Sequence, residues 1–134
     1  MAAFISIGLF IKIEETIPLY VNNILGVAIV DYQYILDFAI KHNIENRTQE
    51  GFINALRNYK EAQPEEYSKY FGSIETDKLH TPIEKIALTL GNWPACNDNH
   101  IVSHLTIYYQ DDYIASYRMV FNLDGTVEDD ILSV

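Results

Sequence analysis

The sequence predicts an α+β protein: an N-terminal strand, four to five helices, and a C-terminal three-stranded antiparallel meander packed on the helices. The main observation is a change in the spacing of apolar residues along the chain. Between residues 31 and 90 they recur every three or four positions, as on one face of a helix, and from His100 onward they alternate with polar residues. Two turn-forming pairs, Asp111-Asp112 and Asp124-Gly125, divide the alternating region into three strands. Helices segregated from an antiparallel sheet define the α+β class.

The first thirty residues predict a strand followed by a helix. Residues 4–13 place isoleucine or leucine at every second position, which suits a strand with one fully buried side. Residues 14–23 suit a helix with Pro18 in its first turn. The apolar start lacks the preceding basic residues of an export signal, and Pro18 and Gly26 interrupt the apolar stretch that follows. The sequence therefore predicts a soluble cytoplasmic protein.

Further helices are predicted in the middle of the chain, each with residues that suit its ends. Asp31 caps the first of them and Asn43 ends it, with one apolar stripe between the two. Thr48 is the expected cap of the next helix, Gly72 stops the third, and Pro82 stands at the first position of the last. After the first, these helices cover residues 47–62, 64–71 and 82–90. A polar loop over residues 92–99 leads into the sheet.

The three strands are predicted over residues 101–109, 113–122 and 126–134. The pairing of the first two depends on the hairpin between them, because a slip of one residue moves every side chain to the other face. A three-residue loop, or a bulge, gives the more apolar core face. The residues that then face the helices are Ile101, Leu105, Ile107, Tyr117, Met119 and Phe121. The opposite face is too apolar for ordinary exposure, so either further helix covers it or it is a binding surface.

Composition predicts one domain over residues 1–134. Hydrophobic residues make up 49% of the chain, aromatic residues 13% and charged residues 21%, which is a globular balance. The chain is long enough to bury a core without disulfides. Its single cysteine, Cys96, excludes an internal disulfide and fits a reducing compartment.

The net charge of −10 is concentrated in the second half of the chain. Residues 1–60 carry five basic and six acidic side chains, whereas residues 61–134 carry four basic and thirteen acidic ones. Such a one-sided field repels nucleic acid and anionic membranes and steers a basic partner toward the protein. The charge pattern therefore predicts a basic protein partner, with no role for nucleic acid or a membrane.

Cys96, His100 and His104 have a spacing that invites a metal site, but local structure decides against it. Two histidines four residues apart share an ion on a helix, whereas on a strand they lie about 13 Å apart at ~3.3 Å per residue. Neighbouring Ile101 and Val102 favour a strand, so we expect ordinary histidines and no metal. A reactive Cys96 is also disfavoured, because Asp98 would raise the pKa of the thiol.

The other signatures of catalysis are missing from the sequence. Adjacent strand residues point to opposite faces, so Asp129 cannot work closely with Glu128 or Asp130 as a paired catalytic carboxylate. There is no calcium-binding loop, glycine-rich phosphate loop, nucleophile elbow or basic–aromatic face. We therefore expect neither an enzyme nor a cofactor.

Tyrosines beside carboxylates point instead to recognition of Lys and Arg side chains. Four of the ten tyrosines flank the first hairpin turn. Carboxylates would form ion pairs at the rim of such a contact, and aromatic rings would stack inside it. The predicted partner-binding residues are Asp111, Asp112, Asp124, Glu128, Asp129, Asp130, Tyr108, Tyr109 and Tyr113.

The chain resembles the bacterial immunity proteins of contact-dependent growth inhibition and related polymorphic toxin systems. The resemblance rests on its size, its acidity, its order of elements and the C-terminal segment YRMVFNLDGTVEDDILSV, residues 117–134. The resemblance implies stoichiometric binding to a cognate toxin domain, often a basic nuclease, through its active site or a neighbouring surface. Immunity families have unrelated folds, so it assigns no residue a role.

Two other function classes remain open from the sequence. The first is a small-molecule-binding protein or enzyme on a cone-shaped α+β scaffold, with a pocket lined by Tyr117, Met119, His104 and Trp93. The second is a regulatory or assembly subunit that binds a protein without inhibiting it. The oligomeric state is likewise open.

Overall fold

Three helices and then four antiparallel strands follow one another along residues 32–134, the part of the chain that the computed structural model describes. The helices are α1 (Gln33–Lys41), α2 (Ile44–Ala62) and α3 (Pro64–Phe71), and a 3-10 turn (Thr76–Lys78) precedes the strands β1 (Ile83–Gly91), β2 (Asp98–Tyr109), β3 (Asp112–Phe121) and β4 (Val127–Ser133). The strands form one sheet in the order β1-β2-β3-β4. The class is α+β, but the prediction of four to five helices and a three-stranded meander is wrong.

The error lies in residues 82–90, which form strand β1 instead of a helix. Ile83, Ile86 and Leu90 fit the stripe of a helix, whereas Ile86, Leu88 and Leu90 also alternate as on a strand. A segment this short does not separate the two periods. Tertiary pairing decides: Leu88 lies opposite Ile101 of β2, and the ladder extends to Gly91, opposite Asp98. The predicted loop is shortened accordingly, because β2 begins at Asp98.

Other boundaries follow the sequence more closely. Helix α3 has the predicted bounds, with Pro64 at its start. Helix α2 begins at Ile44, so Thr48 lies inside it instead of capping it. The strand predicted at 4–13, the helix at 14–23 and the cap Asp31 lie outside the described residues. Gln33–Val134 form one compact unit, and a single domain over residues 1–134 stays a prediction. Within residues 32–134, no helix combines the length and hydropathy that crossing a membrane requires.

The β2–β3 hairpin has the predicted register, produced by a bulge. Ile107 lies opposite Ala115 while Tyr108 lies opposite Tyr113, so one strand carries an extra residue. The turn itself is Gln110-Asp111, with φ of 51° and 68°, one position before the predicted pair. The prediction of the residues that face the helices is confirmed: Ile101, Leu105, Ile107, Tyr117, Met119 and Phe121 are all buried. They pack against Phe38, Ile44, Phe52, Leu56 and Phe71 of the helices.

Helix α2 lies close against β3 because it carries a glycine at the contact. A Cβ atom on Gly51 would overlap the Tyr117 hydroxyl and the Met119 methyl group. The neighbouring Phe52 ring packs against Tyr117, with ring centroids 6.0 Å apart. The contact thus places the middle of α2 directly over Tyr117.

Arg47 joins the α1–α2 junction to the β3–β4 turn. Its Nη1 donates to the carbonyl oxygens of His42 at 3.1 Å and Gly125 at 2.9 Å. The guanidinium carbon also lies 4.9 Å from the centroid of the Phe121 ring. Gly125 has a φ of 92°, and a Cβ atom there would overlap the His42 ring. The position of α2 over the sheet is therefore fixed at its start as well as its middle.

One buried polar pair also joins α2 to the sheet. The Thr48 hydroxyl donates to the carbonyl of Ile44 at 2.7 Å and is hydrogen-bonded to the Ser103 hydroxyl at 3.0 Å. Both side chains are fully buried. Replacing Thr48 alone would leave the Ser103 hydroxyl buried without a partner, which costs about 1–3 kcal/mol.

We predict strong coupling between these two positions in a double-mutant cycle. Thr48→Val should lower the free energy of unfolding in urea, and adding Ser103→Ala should cause no further loss because it removes the orphaned hydroxyl. The coupling energy should be about 1 kcal/mol. Exposed Ser73→Ala is the matched control and should be nearly neutral. Additive losses in the double variant would contradict the prediction.

Candidate partner-binding site

The predicted acidic residues lie at opposite ends of the sheet. Asp111 and Asp112 are at the β2–β3 turn, whereas Asp124 and the acidic residues of β4 are at or near the β3–β4 turn. The ten residues of β3 separate the two turns, a length of about 30 Å at ~3.3 Å per residue. One globular partner surface can reach both groups only by spanning the whole sheet, so they are two candidate sites.

The β2–β3 end combines exposed carboxylates with an aromatic group. The rings of Tyr108 and Tyr113 meet edge to face, with centroids 6.5 Å apart, and His80 lies 6.2 Å from Tyr108 on another side. The backbone of Tyr108 also exchanges two hydrogen bonds with that of His80. Tyr113 is 61% exposed, while Tyr108 and Tyr109 are half-buried. Only part of the predicted aromatic set is therefore open to a partner.

Asp124 belongs to the architecture of the β3–β4 turn. Its Oδ1 accepts hydrogen bonds from the Thr126 hydroxyl at 2.7 Å and from the Thr126 backbone N–H at 2.9 Å. These bonds hold the pKa of the Asp124 carboxyl below its usual value. The side chain shapes the turn, and its bonded oxygen is already engaged.

Strand β4 is an edge of the sheet and presents three consecutive acidic residues, Glu128, Asp129 and Asp130, all of them exposed. Asp130 lies opposite Met119, on the helix side, and Asp129 lies opposite Val120, on the other side. The Tyr117 hydroxyl donates to Asp130 Oδ2 at 2.7 Å. Burial and this contact raise the pKa of Tyr117 well above its usual value, so the phenol remains a donor.

Asp130 lines a groove between α2, α3 and the end of β4. The groove has a volume of about 490 Å³. Its walls comprise Ala55, Asn58, Tyr59, Ala62, Gln63, Glu66, Asp130, Leu132 and Val134. Two carboxylates from distant parts of the chain, Glu66 and Asp130, therefore share one concave surface with apolar side chains. Sequence reasoning missed all of these residues except Asp130, because they come from three elements.

The Tyr59 hydroxyl is the least satisfied polar group of the groove. Its oxygen is shielded from solvent and makes no hydrogen bond of ordinary length and angle among the described residues. Burial raises the pKa of the phenol, and both the charge of the Glu66 carboxylate and its hydrogen-bonding interaction with the phenol raise it further. The Tyr59 ring is held edge-on against Tyr67 at 5.9 Å and Phe71 at 6.2 Å. The Tyr59 ring thus forms an aromatic wall of the groove, with its hydroxyl buried beside Glu66.

The chemistry of this groove suits an organic cation. A guanidinium or ammonium group brings several N–H donors, and the residues that line the groove include two carboxylates, Glu66 and Asp130, and two side-chain amides, Asn58 and Gln63. Apolar walls from Ala55 and Leu132 suit the methylene stem of Arg or Lys.

The structure confirms the expected strand at the histidines. His100 and His104 both lie on β2, four residues apart. Across residues 32–134, no three His, Cys, Asp or Glu side chains are grouped so that they could hold a metal ion. Cys96 is a half-buried free thiol in the β1–β2 loop.

The pocket lining predicted for a small-molecule site does not assemble. Tyr117 and Met119 lie in the core on the helix side of the sheet, whereas His104 lies on the other side, since its neighbours Ser103 and Leu105 are the buried ones. Trp93 is 76% exposed, in the β1–β2 loop. The alternation of β2 and β3 thus separates residues that this interpretation needs together.

Comparison with protein-family models, with curated proteins and with solved structures gives no match. The resemblance to immunity proteins therefore stays a prediction, and function is inferred from the geometry and charge of the site.

We predict that Tyr117 makes stability fall in alkali. Because folding raises the pKa of Tyr117 above the ordinary value of 10.0, its contribution is fully present below about pH 10 and is lost as the pH rises through the folded-state pKa. Tyr117→Phe should lower the free energy of unfolding at neutral pH by about 1–2 kcal/mol and flatten the decline above about pH 10. Denaturant titrations across this range measure both.

Tyr113→Phe is the control for this experiment, because that ring is largely exposed. It should keep the wild-type pH profile. If the free energy of unfolding fell equally steeply above about pH 10 in Tyr117→Phe and in the wild type, the prediction would be contradicted.

Proposed function

We propose that this chain is an immunity protein that binds and neutralises a cognate basic toxin domain without catalysis of its own. The observation that carries the proposal is the groove in which the Glu66 and Asp130 carboxylates meet beside the Tyr59 ring. Such a site suits a Lys or Arg side chain of a partner, inserted between α2, α3 and β4.

The carboxylates of the groove keep their negative charge, although Asp130 Oδ2 already accepts the Tyr117 hydrogen bond. Among residues 32–134, the ion pairs are Lys78 with Glu75 and His100 with Asp98, so neither Glu66 nor Asp130 is neutralised within this part of the chain. The nearby Lys60 ammonium is placed over the Tyr67 ring, 5.5 Å from its centroid. An incoming cation would therefore meet two uncompensated negative charges, which favours a basic partner over a neutral one.

The long-range field supports the same partner class. The acidic excess in residues 61–134 would attract a basic nuclease and compete with its nucleic-acid substrate for the same charges. Complementary fields raise association rates toward ~10⁸ M⁻¹s⁻¹ at low salt. An inhibitor that must capture a lethal enzyme inside its own cell benefits from such speed.

The edge strand β4 adds selectivity. An unpaired sheet edge can take up a strand from another chain. Glu128, Asp129 and Asp130 place acidic side chains on both faces of this edge, so a second copy of the strand is repelled while a basic segment is favoured. The edge and the groove are continuous through Asp130.

Growth rescue is the direct test of the proposal. Immunity genes lie directly downstream of their toxin genes, so the toxin domain encoded by the upstream neighbour is expressed with and without this chain. We expect rescue of growth and a 1:1 complex of the purified proteins with loss of toxin activity. A complex that leaves the toxin active would indicate binding without inhibition, and absence of a complex would refute the proposal.

We predict that the groove, and not the β2–β3 turn, dominates that complex. Glu66→Gln with Asp130→Asn should weaken binding about tenfold or more and reduce the salt dependence of association. Tyr59→Phe should leave the salt dependence unchanged, because it removes a hydroxyl and no charge. Stopped-flow association and dissociation rates across a salt series separate these effects.

The control is Asp111→Asn with Asp112→Asn, which removes the same charge at the other end of the sheet. It should only slow association slightly, through the long-range field. If instead this pair causes the larger loss of affinity, the partner contacts the hairpin tip and the groove assignment is wrong. Because Asp130 also accepts the Tyr117 hydrogen bond, binding is measured well below the unfolding midpoint of every variant, and unchanged far-UV circular dichroism shows that each variant is folded.

A further inference from the structure

The sheet face opposite the helices carries a row of three basic side chains. Lys85 of β1 lies directly opposite His104 of β2, and His104 lies directly opposite Arg118 of β3. Residues that are directly opposite share a face, with Cα atoms about 4.5–5.5 Å apart. All three described helices pack against the other face. The three side chains therefore stand side by side in one line across three strands.

This row is unexpected in so acidic a chain. Residues 61–134 hold only four Lys and Arg residues, and two of them are in the row. The other two have local partners, since Lys78 pairs with Glu75 and Lys69 lies over the Tyr70 ring. Within the described residues, neither Lys85 nor Arg118 has an ion-pair partner, and both are exposed. Lys85 and Arg118 thus stand on either side of His104 without an ion-pair partner among the described residues, which leaves both free to bind an anion.

The charges around His104 are positive on two sides. Burial, then Lys85 and then Arg118 lower the pKa of His104, against a smaller opposite effect of Glu84. The Glu84 carboxylate is engaged, because its Oε1 accepts a hydrogen bond from the Thr106 hydroxyl at 2.9 Å. On β4, Asp129 lies opposite Val120, one row away from Arg118. At His104 the two cations together therefore outweigh the charge of Glu84.

Hydroxyl groups form the adjoining row of the same face. Thr106 lies opposite Ser116, and Ser116 lies opposite Ser133. Ser116 is half-buried and lies two residues from Arg118, on the same face of β3. The Thr106 hydroxyl donates to Glu84, but the Ser116 hydroxyl, the imidazole and the two long cationic side chains offer donors from more than two directions. A carboxylate presents two oxygens, whereas a phosphate group presents three and matches this arrangement better.

We propose that Lys85, His104 and Arg118, with the Ser116 hydroxyl, bind the phosphate group of a small phosphorylated molecule. Lys85 and Arg118 stand on either side of His104, and their length lets both reach a phosphate placed over the imidazole. A small ligand fits better than nucleic acid, because a chain of net charge −10 repels a polyanion. The site uses the face of the sheet opposite the groove, so it is independent of the toxin-binding proposal.

Histidine titration by NMR tests the proposal with inorganic phosphate as the probe. A bound phosphate favours the imidazolium, so the pKa of His104 should rise by about 0.5–1. The rise should saturate at millimolar phosphate when chloride keeps the ionic strength constant. By linkage, phosphate should bind more tightly to the protein when His104 is an imidazolium than when it is neutral. The other three histidines, His42, His80 and His100, are internal controls.

Two matched variants locate the effect. Lys85→Gln with Arg118→Gln should abolish the phosphate-dependent rise of the His104 pKa, whereas Lys69→Gln, a loss of charge on α3, should leave it unchanged. Equal pKa changes at all four histidines, or a full effect in the double variant, would overturn the proposal. Saturable binding of a short single-stranded oligonucleotide in preference to phosphate would also overturn it, in favour of a nucleic-acid surface. Since these side chains are exposed or half-buried, unfolding midpoints should match the wild type.

Discussion

The buried Tyr117 ring is the contact on which both the fold and the candidate groove depend. It is 1% exposed, covered by Gly51 and Phe52 of α2, and its hydroxyl has to find a partner because an unsatisfied buried phenol is costly. Asp130 supplies that partner from the edge strand. The packing of α2 on the sheet thus also fixes an acidic side chain at the rim of the groove.

The sequence was sufficient wherever a local pattern had one stable solution. The register of β2 and β3 could be predicted because a slip of one residue would expose Ile101, Leu105 and Ile107 together. It was insufficient for β1, since Ile86 and Leu90 belong both to a helical stripe with Ile83 and to a strand alternation with Leu88, and only pairing with β2 decides between the two. The groove could not be predicted from the sequence for a similar reason. Tyr59, Glu66 and Asp130 are brought together by tertiary packing that no local pattern encodes.

The acidic residues show how nearness in sequence differs from nearness in space. Asp112 and Asp124 are separated by only twelve positions, yet β3 runs straight between them and carries them to opposite ends of the sheet. The long-range electrostatic field hardly depends on this distance, because all the carboxylates contribute to the field. A contact surface does depend on it, because a partner touches only the residues that lie close together. The sequence could therefore predict the sign of the partner's charge, whereas the location of the binding site could be found only from the fold.

The side chains of strand β3 alternate between the two faces of the sheet, so core residues and a cationic residue lie on opposite faces. Tyr117 and Met119 enter the core, and Arg118, between them, stands on the opposite face beside His104. A slip of one residue would bury the guanidinium under α2 and expose the phenol, and burying an unpaired charge is prohibitive. Bulges interrupt the pairing of β3 near both of its ends. One lies in the pairing with β2, at Ile107/Tyr108 of β2, and the other in the pairing with β4, at Val120/Phe121 of β3. The acidic groove and the basic row are therefore maintained by the same constraint, and one chain can offer a cation site and an anion site on opposite faces without their neutralising each other.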